Sequence, residues 1–189
     1  MLRQLFAALA MTAVATVVLG LAYPLAVTGI AQVLAPERAD GSLVERDGEV
    51  VGSALLAQGF TGPEYFHPRP SAVDHDPRDS GGSNLGPSAP ALAADVAARA
   101  AAYRGANGLA PDAPVPVDAV TASASGLDPH ISPENARLQA DRVARVRGLD
   151  AAAVRALVGE HTVPRALGVL GEPGVNVLGL NLALDRAAD

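Results

Sequence analysis

Residues 4–36 carry no charged side chain, and no other feature restricts the fold as strongly. Arg3 closes the run on one side and Glu37-Arg38 on the other. The hydrocarbon core of a bilayer is about 30 Å thick and takes about 20 apolar residues at about 1.5 Å of rise each. The run therefore has enough length for a span with a turn at each end. Backbone groups in lipid find no water, so a single segment crossing it must be helical. The expectation is one membrane helix from Leu5 to about Leu34. Two alternatives compete. A cleaved signal peptide finds a charged start in Met1-Leu2-Arg3 and a small-residue cleavage pattern at Ala13-Val14-Ala15. Its apolar region would be about 7–15 residues long, whereas this one continues through Leu25, Ile30 and Leu34. A buried helix of a soluble protein rarely runs this far without a charge.

Every fourth position of the run, from Ala8 through Thr12, Thr16, Gly20, Pro24 and Thr28 to Gln32, is small or polar. Residues four apart lie on adjacent turns of one helix face. Small residues let a second helix approach closely, and hydroxyls can hydrogen-bond across the contact. Thr12, Thr16, Gly20, Pro24 and Thr28 are thus a candidate face for partner membrane helices. The alternative is the ordinary composition of a membrane helix, with Pro24 as a kink. A short N-terminal tail before a long anchor stays cytoplasmic, which places residues 37–189 outside the cytoplasm. The organisation expected is an anchor over 1–36 and one soluble extracytoplasmic domain over 37–189, with a mixed α+β fold.

What is missing from the composition excludes chemistry. Cysteine is absent, so there is neither a disulfide nor a thiolate metal site. Lysine is absent too, and every basic residue except histidine is arginine. A phosphate-cradling P-loop, a protein-kinase site and a Schiff base each need a lysine. The net charge of −6 argues against nucleic acid. The histidines at 67, 75, 130 and 161 lack metal-binding spacing. Asp74, His75 and Asp76 read as solvated, and the Gly-rich Ser80–Ser83 run is a weak anion signal. No Gly-x-Ser-x-Gly elbow occurs, although Ser123 and Ser125 lie near His130 in sequence and leave a tethered serine hydrolase as the alternative function.

Along the soluble part, Leu43–Val51 reads as a hairpin turning at Asp47-Gly48. Residues 59–72 contain three prolines and two glycines and form no regular element. Half of the six Phe and Tyr residues fall in this loop, at 60, 65 and 66. It is either pinned to the core by its rings or a binding surface rimmed by His67 and Arg69. Helices are expected over Pro90–Arg104, from a Ser132-Pro133 start to Arg147, and over Ala151–Glu160. Val117–Thr121 reads as a short strand, and 175–178 as a strand before a short helix or turn at 180–184. The arginines at 137, 142, 145 and 147 read as a solvated helix face.

Runs quoted in order along nearly the whole chain resemble the KdpC family, the C subunits of the Kdp potassium-transporting ATPase. They are Tyr23-Pro24; 41–43 (GSL); 52–55 (GSAL); Phe60-Thr61-Gly62; 65–71 (YFHPRPS); 80–85 (SGGSNL); 120–128 (VTASASGLD); Gln139; Arg142-Val143-Ala144; Val175-Asn176-Val177; and 180–185 (LNLALD). The resemblance implies a bacterial inner-membrane complex for high-affinity, ATP-driven K⁺ uptake. In it a channel-like subunit carries K⁺, a P-type subunit hydrolyses ATP with Mg, and a very small membrane subunit is also present. It implies an accessory, non-catalytic role that stabilises the assembly, and a catalytic-chaperone role that raises ATP affinity of the P-type subunit. On that account Ser123, Ser125, Gly126 and Gln139 resemble a nucleotide-contacting signature. The loop with Phe60, Tyr65, Phe66, His67 and Arg69 is expected to dock on the channel-like subunit.

Overall fold

The computed structural model describes residues 1–188, in two compact units that divide after Val51. The first holds the apolar run as one helical rod of 33 residues, Leu2–Leu34, a candidate membrane span by length and composition. It consists of α1 (Leu2–Val17), a π-helical turn (Val18–Ala22) and α2 (Tyr23–Leu34). The π turn has a local cause. Pro24 lacks an N–H, and its ring presses on the carbonyl four residues back, that of Gly20. The backbone widens instead of breaking, and the Tyr23 N–H donates to the Val18 carbonyl five residues back. Ala35 leaves the helix at φ −153° ahead of Pro36, which disfavours a helical predecessor, and the short α3 (Pro36–Ala39) follows. Strands β1 (Leu43–Arg46) and β2 (Glu49–Ser53) form the expected hairpin. Asp47 and Gly48 both take positive φ, 54° and 83°, as a type I′ turn requires.

Three helices of the second unit lie close to where the sequence places them. α4 spans Pro90–Asn107 and stops at Gly108, φ 67°. α6 spans Pro133–Arg147; the Ser132 hydroxyl accepts from the Asn135 N–H, and Gly148 ends the helix at φ 67°. α7 spans Ala151–Glu160. A three-stranded antiparallel sheet has β5 (Gly174–Asn176) between β3 (His130–Ile131) and β4 (Thr162–Val163). His130 pairs with Asn176, and Thr162 with Val175. The α+β class is as expected.

Two expected elements are corrected. Val117–Val120 is a helical turn, α5, not a strand. Thr121 donates its N–H and hydroxyl back to the Val117 carbonyl, at 2.9 and 2.7 Å. Asp118 is thereby aimed at the start of α6, where it accepts from the Ser132 N–H (2.7 Å), the Ser132 hydroxyl (2.9 Å) and Asn135 Nδ2 (3.0 Å). At the tail, the strand stops at Asn176 and α8 (Val177–Ala188) replaces its last residues. Asn176 Oδ1 accepts from the Gly179 N–H at 2.9 Å, a cap that starts the helix there.

The core lies among α6, α7, α8 and β5. Ala136, Ala140, Val143 and Ala144 of α6 face Val154 and Val158 of α7 and Leu180 and Leu184 of α8, with Phe66 of the long loop among them. The arginines of α6 divide. Arg137 and Arg145 are exposed as expected, but Arg142 and Arg147 turn inward. Arg147 donates to Asp185 (2.8 Å) and to the Glu64 carbonyl (2.7 Å), and its guanidinium lies 4.8 Å from the Tyr65 ring centroid.

Candidate functional site

Among the described residues of α1 and α2 none is buried. The row from Thr12 to Thr28 therefore lies open. A Cβ on Gly20 would meet only Thr16 Cγ2, at 3.9 Å, and one on Gly29 nothing within 4 Å, so the chain itself needs neither glycine. The π turn bears on the row. With 3.6 residues per turn, a step of four overshoots one revolution by about 40°. A wider turn between Thr16 and Pro24 reduces that drift and holds the row closer to one face. The Thr16 hydroxyl donates to the Thr12 carbonyl at 2.8 Å, and Gln32 donates to Asp40 at 2.7 Å.

In the second unit, two side-chain amides clamp consecutive residues of the aromatic loop. Asn181 of α8 accepts from the Phe66 N–H (2.8 Å) and donates to the Phe66 carbonyl (3.0 Å). Gln139 of α6 accepts from the His67 N–H (2.8 Å) and donates to the His67 carbonyl (3.2 Å). Each amide imitates a strand partner and satisfies backbone that a proline-rich loop cannot pair for itself. Gln139 also donates to Asn135 Oδ1 (2.9 Å) and accepts from Arg142 Nη2 (2.9 Å). The loop is thus pinned by its rings and its backbone. The Phe66 ring is wholly inside, and Phe60 packs against the core while staying partly exposed, its ring centroid 5.3 Å from that of Tyr65.

The segment 121–128 docks against that loop and the Gly-rich run after it. The Ser123 N–H donates to the Pro70 carbonyl (2.9 Å), the Gly81 N–H to the Ser125 carbonyl (3.0 Å), and the Ala57 N–H to the Leu127 carbonyl (2.9 Å). The Ser123 and Ser125 hydroxyls lie 3.1 Å apart and accept from the N–H groups of Gly126 and Leu127, both at 3.1 Å. No histidine bonds either hydroxyl among the described residues, so the base a serine nucleophile needs is not in place. Within Ser80–Ser83, Gly82 serves packing: a Cβ there would come within 2.9 Å of the Ala124 carbonyl oxygen. Asp76 pairs with Arg78 at the surface. No cluster able to hold a metal ion occurs among the described residues.

Ser123 and Ser125 line a depression of about 550 Å³ with Arg69 and Asp128, whereas Gln139 lines a different groove of about 670 Å³ with His67, Arg69 and Tyr103. Arg69 borders both and donates to Asp128 at 2.9 Å, while its Nε is buried without a hydrogen-bond partner among the described residues. Arg142 is the residue sequence reasoning placed least well. It is 2 % exposed, and its hydrogen bonds go to amide and backbone oxygens. Nε donates to Asn107 Oδ1 (3.0 Å), Nη2 to Gln139, and Nη1 to the Pro63 carbonyl. Burial pulls its pKa down, and burial pushes that of the neighbouring Tyr103 phenol up. The Tyr103 hydroxyl donates to Asn135 Oδ1 at 2.9 Å, which closes a polar network joining α4, α5, α6 and the aromatic loop.

His67 sits within this network. Its Nε2–H donates to the Gly62 carbonyl at 2.9 Å. Burial, the largest influence, holds its pKa below the ordinary histidine value; the Gly62 carbonyl opposes it, Arg142 adds to it, and Glu64 opposes it. Below about pH 6.5 the unfolded chain then binds more protons than the folded one, so stability falls as pH drops through that window and is fully present above it. Urea titrations at pH 7.5 and pH 5 are expected to differ in the wild type, by at most about 1.4 kcal/mol per pH unit from one group. The difference should shrink in His67→Gln; an equal difference in the variant would assign it to other groups.

The chain matches the family model described as KdpC: K⁺-transporting ATPase, c chain, over residues 5–186. It is similar to the potassium-transporting ATPase KdpC subunit of Cereibacter sphaeroides, with 58% identity over 187 residues and 99% of each chain covered. That of Rhodospirillum rubrum shares 59% over 188 residues, covering 98% of this chain and 97% of the relative. That of Mycobacterium tuberculosis shares 55% over 188 residues, covering 98% and 100%.

Proposed function

The chain belongs to the KdpC family, the C subunits of K⁺-transporting ATPases, and from that premise we propose that it is a non-catalytic accessory subunit which holds the membrane subunits of such a complex together. Leu2–Leu34 spans the membrane and packs along partner helices by the face from Thr12 to Thr28. The unit from Gly52 onward stands outside the cytoplasm and docks on the K⁺-conducting subunit through the exposed parts of the 60–71 and 121–128 loops, Phe60 and Tyr65 among them. The observation that carries this reading is a 33-residue apolar helix in which a Cβ on Gly20 would meet only Thr16 and one on Gly29 nothing within 4 Å among the described residues.

The hydrogen bonding of the signature residues supports an architectural role. Gln139 spends its amide on His67, Asn135 and Arg142. Ser123 and Ser125 spend their hydroxyls on their own turn. A domain outside the cytoplasm also has no access to cytoplasmic ATP. Any gain in ATP affinity at the P-type subunit would be transmitted through the geometry of the packed helices, without a nucleotide contact from this chain. The test is detergent extraction of the whole complex from membranes. Thr16→Leu combined with Gly20→Leu is expected to cut recovery of the partner subunits several-fold at unchanged membrane insertion. Unaltered recovery would count against the face.

A further inference from the structure

Strands β4 and β5 are the feet of a hairpin whose loop the functional site leaves unused. Thr162 pairs with Val175 and Val163 with Gly174, and Val175 is fully buried, so the feet are rooted in the core. Between them residues 164–173 read PRALGVLGEP. At the tip Leu167 is 90 % exposed, Val169 72 % and Leu170 59 %. Backbone bonds order this tip. The Ala166 N–H donates to the Leu170 carbonyl and the Leu170 N–H to that of Ala166, both at 2.9 Å. The Gly168 N–H donates to the Arg165 carbonyl (3.0 Å) and the Val169 N–H to that of Ala166 (3.2 Å). Leu167 takes φ +54°, which a β-carbon disfavours, ahead of Gly168 at +76°. At the neck Arg165 Nη2 donates to Glu172 at 2.6 Å. The chain therefore holds large aliphatic side chains out of its own core on an ordered turn.

We propose that the tip at Leu167, Val169 and Leu170 is a second membrane contact, which dips into the boundary between headgroups and acyl chains and holds the second unit against the bilayer. The inference rests on the reading of Leu2–Leu34 as a membrane span. That span selects lipid as the occupant. Residues 35–51 alone tie the second unit to it, so a bilayer surface is permanently at hand. The chemistry of the tip agrees. Residues 166–171 carry no hydrogen-bonding side chain. The amides of Ala166, Gly168, Val169 and Leu170 are satisfied within the turn, as apolar surroundings demand. Arg165 and Glu172 stand where the tip would meet headgroups and water, and as a pair they are neutral, so the contact needs no anionic lipid. A protein seat fits less well, since these side chains offer far less than the roughly 800 Å² per partner of a stable interface. A lipid contact can be that small. Weak insertion becomes lasting when a permanent anchor keeps the membrane close.

The chain has no cysteine, so a single introduced one can carry an environment-sensitive fluorophore in the full-length protein. The protein is reconstituted in phosphatidylcholine vesicles that contain acyl-chain spin-labelled lipid as quencher. A probe on Val169→Cys is compared with one on Asp112→Cys, an exposed site of the second unit, and one on Ala13→Cys within the span. The expected result is a blue-shifted probe at Val169 that lipid quenches while the probe at Asp112 is not quenched. Adding Leu167→Asp and Leu170→Asp should return the Val169 probe to an aqueous spectrum, with a loss of lipid-bound fraction of about ten-fold or more, the partition ratio that burial of one leucine supplies. The urea midpoint should not move, because both leucines are exposed. A Val169 probe that stays unquenched while the Ala13 probe is quenched overturns the tip contact and leaves the span standing. An unquenched probe at Ala13 fails the span itself. Equal quenching at Asp112 and Val169 overturns the proposal too, since the dye would then be seeking lipid by itself. If the Val169 probe is shielded only when the partner subunits are reconstituted with the chain, and lipid never quenches it, the tip is a protein contact and the proposal is wrong.

Discussion

Phe66→Ala is expected to destabilise the second unit by about 3–5 kcal/mol, the range for truncating a fully buried aromatic. Phe66 is 0 % exposed and packs with Ile131, Val143, Leu180 and Leu184. The cost should fall toward the upper end because the site cannot collapse. Asn181 holds both backbone groups of Phe66, at 2.8 and 3.0 Å, so the loop can move into the void only by giving up those bonds. Pulse proteolysis of the full-length chain across a urea series would measure it. A loss below about 1 kcal/mol would mean that the ring contributes surface and little core. Phe60→Ala is the companion. Phe60 is only partly buried, so its truncation should cost less stability and should bear on partner recovery instead. The pair separates the two readings of an aromatic-rich loop that sequence alone leaves open: one ring pins it, and another remains free to touch something else.

That separation marks the limit of what could be read from residue order. Elements specified by neighbours in the chain were legible. The span follows from 33 charge-free residues at 4–36, α6 from a serine cap before proline and a glycine after the last turn, and the hairpin from Asp47-Gly48. Elements specified across the chain were not. Val117–Val120 has the β-branched residues of a strand, yet it coils because Asp118 finds donors at Ser132 and Asn135. Arg142 looks like any surface arginine of a basic helix until Asn107 and Pro63 supply acceptors from two distant places and Gln139 one from its own helix. Gln139 could be matched to a family signature, but its clamp on His67 spans a sequence separation of 72. The π turn has a visible cause in Pro24; a kink there is the alternative reading of that residue, and the form the distortion takes depends on how the whole ladder redistributes its bonds.

Gly126→Ala addresses the same loop from the other side, and about 3 kcal/mol of destabilisation is expected. Two effects add. Gly126 has φ +72°, where a side chain costs roughly 1–2 kcal/mol. A Cβ there would also strike the Val73 side chain, come within 2.9 Å of the Gly81 carbonyl oxygen and within 3.1 Å of Ser71 Oγ. The oxygen is backbone and cannot swing aside, so overpacking adds about 1–3 kcal/mol. Gly108→Ala and Gly148→Ala isolate the first effect. Both glycines have φ +67° with nothing within 4 Å of a new Cβ, and each should cost only the strain. The excess at Gly126 then measures how tightly segment 121–128 is pressed onto 71–81. If Gly126 were kept free of a side chain to admit a nucleotide, its substitution would resemble the two controls in stability and differ from them only in ATP-dependent turnover of the assembled complex. If it is kept free so that two backbones can meet, stability falls first, and turnover falls only as far as the folded fraction does.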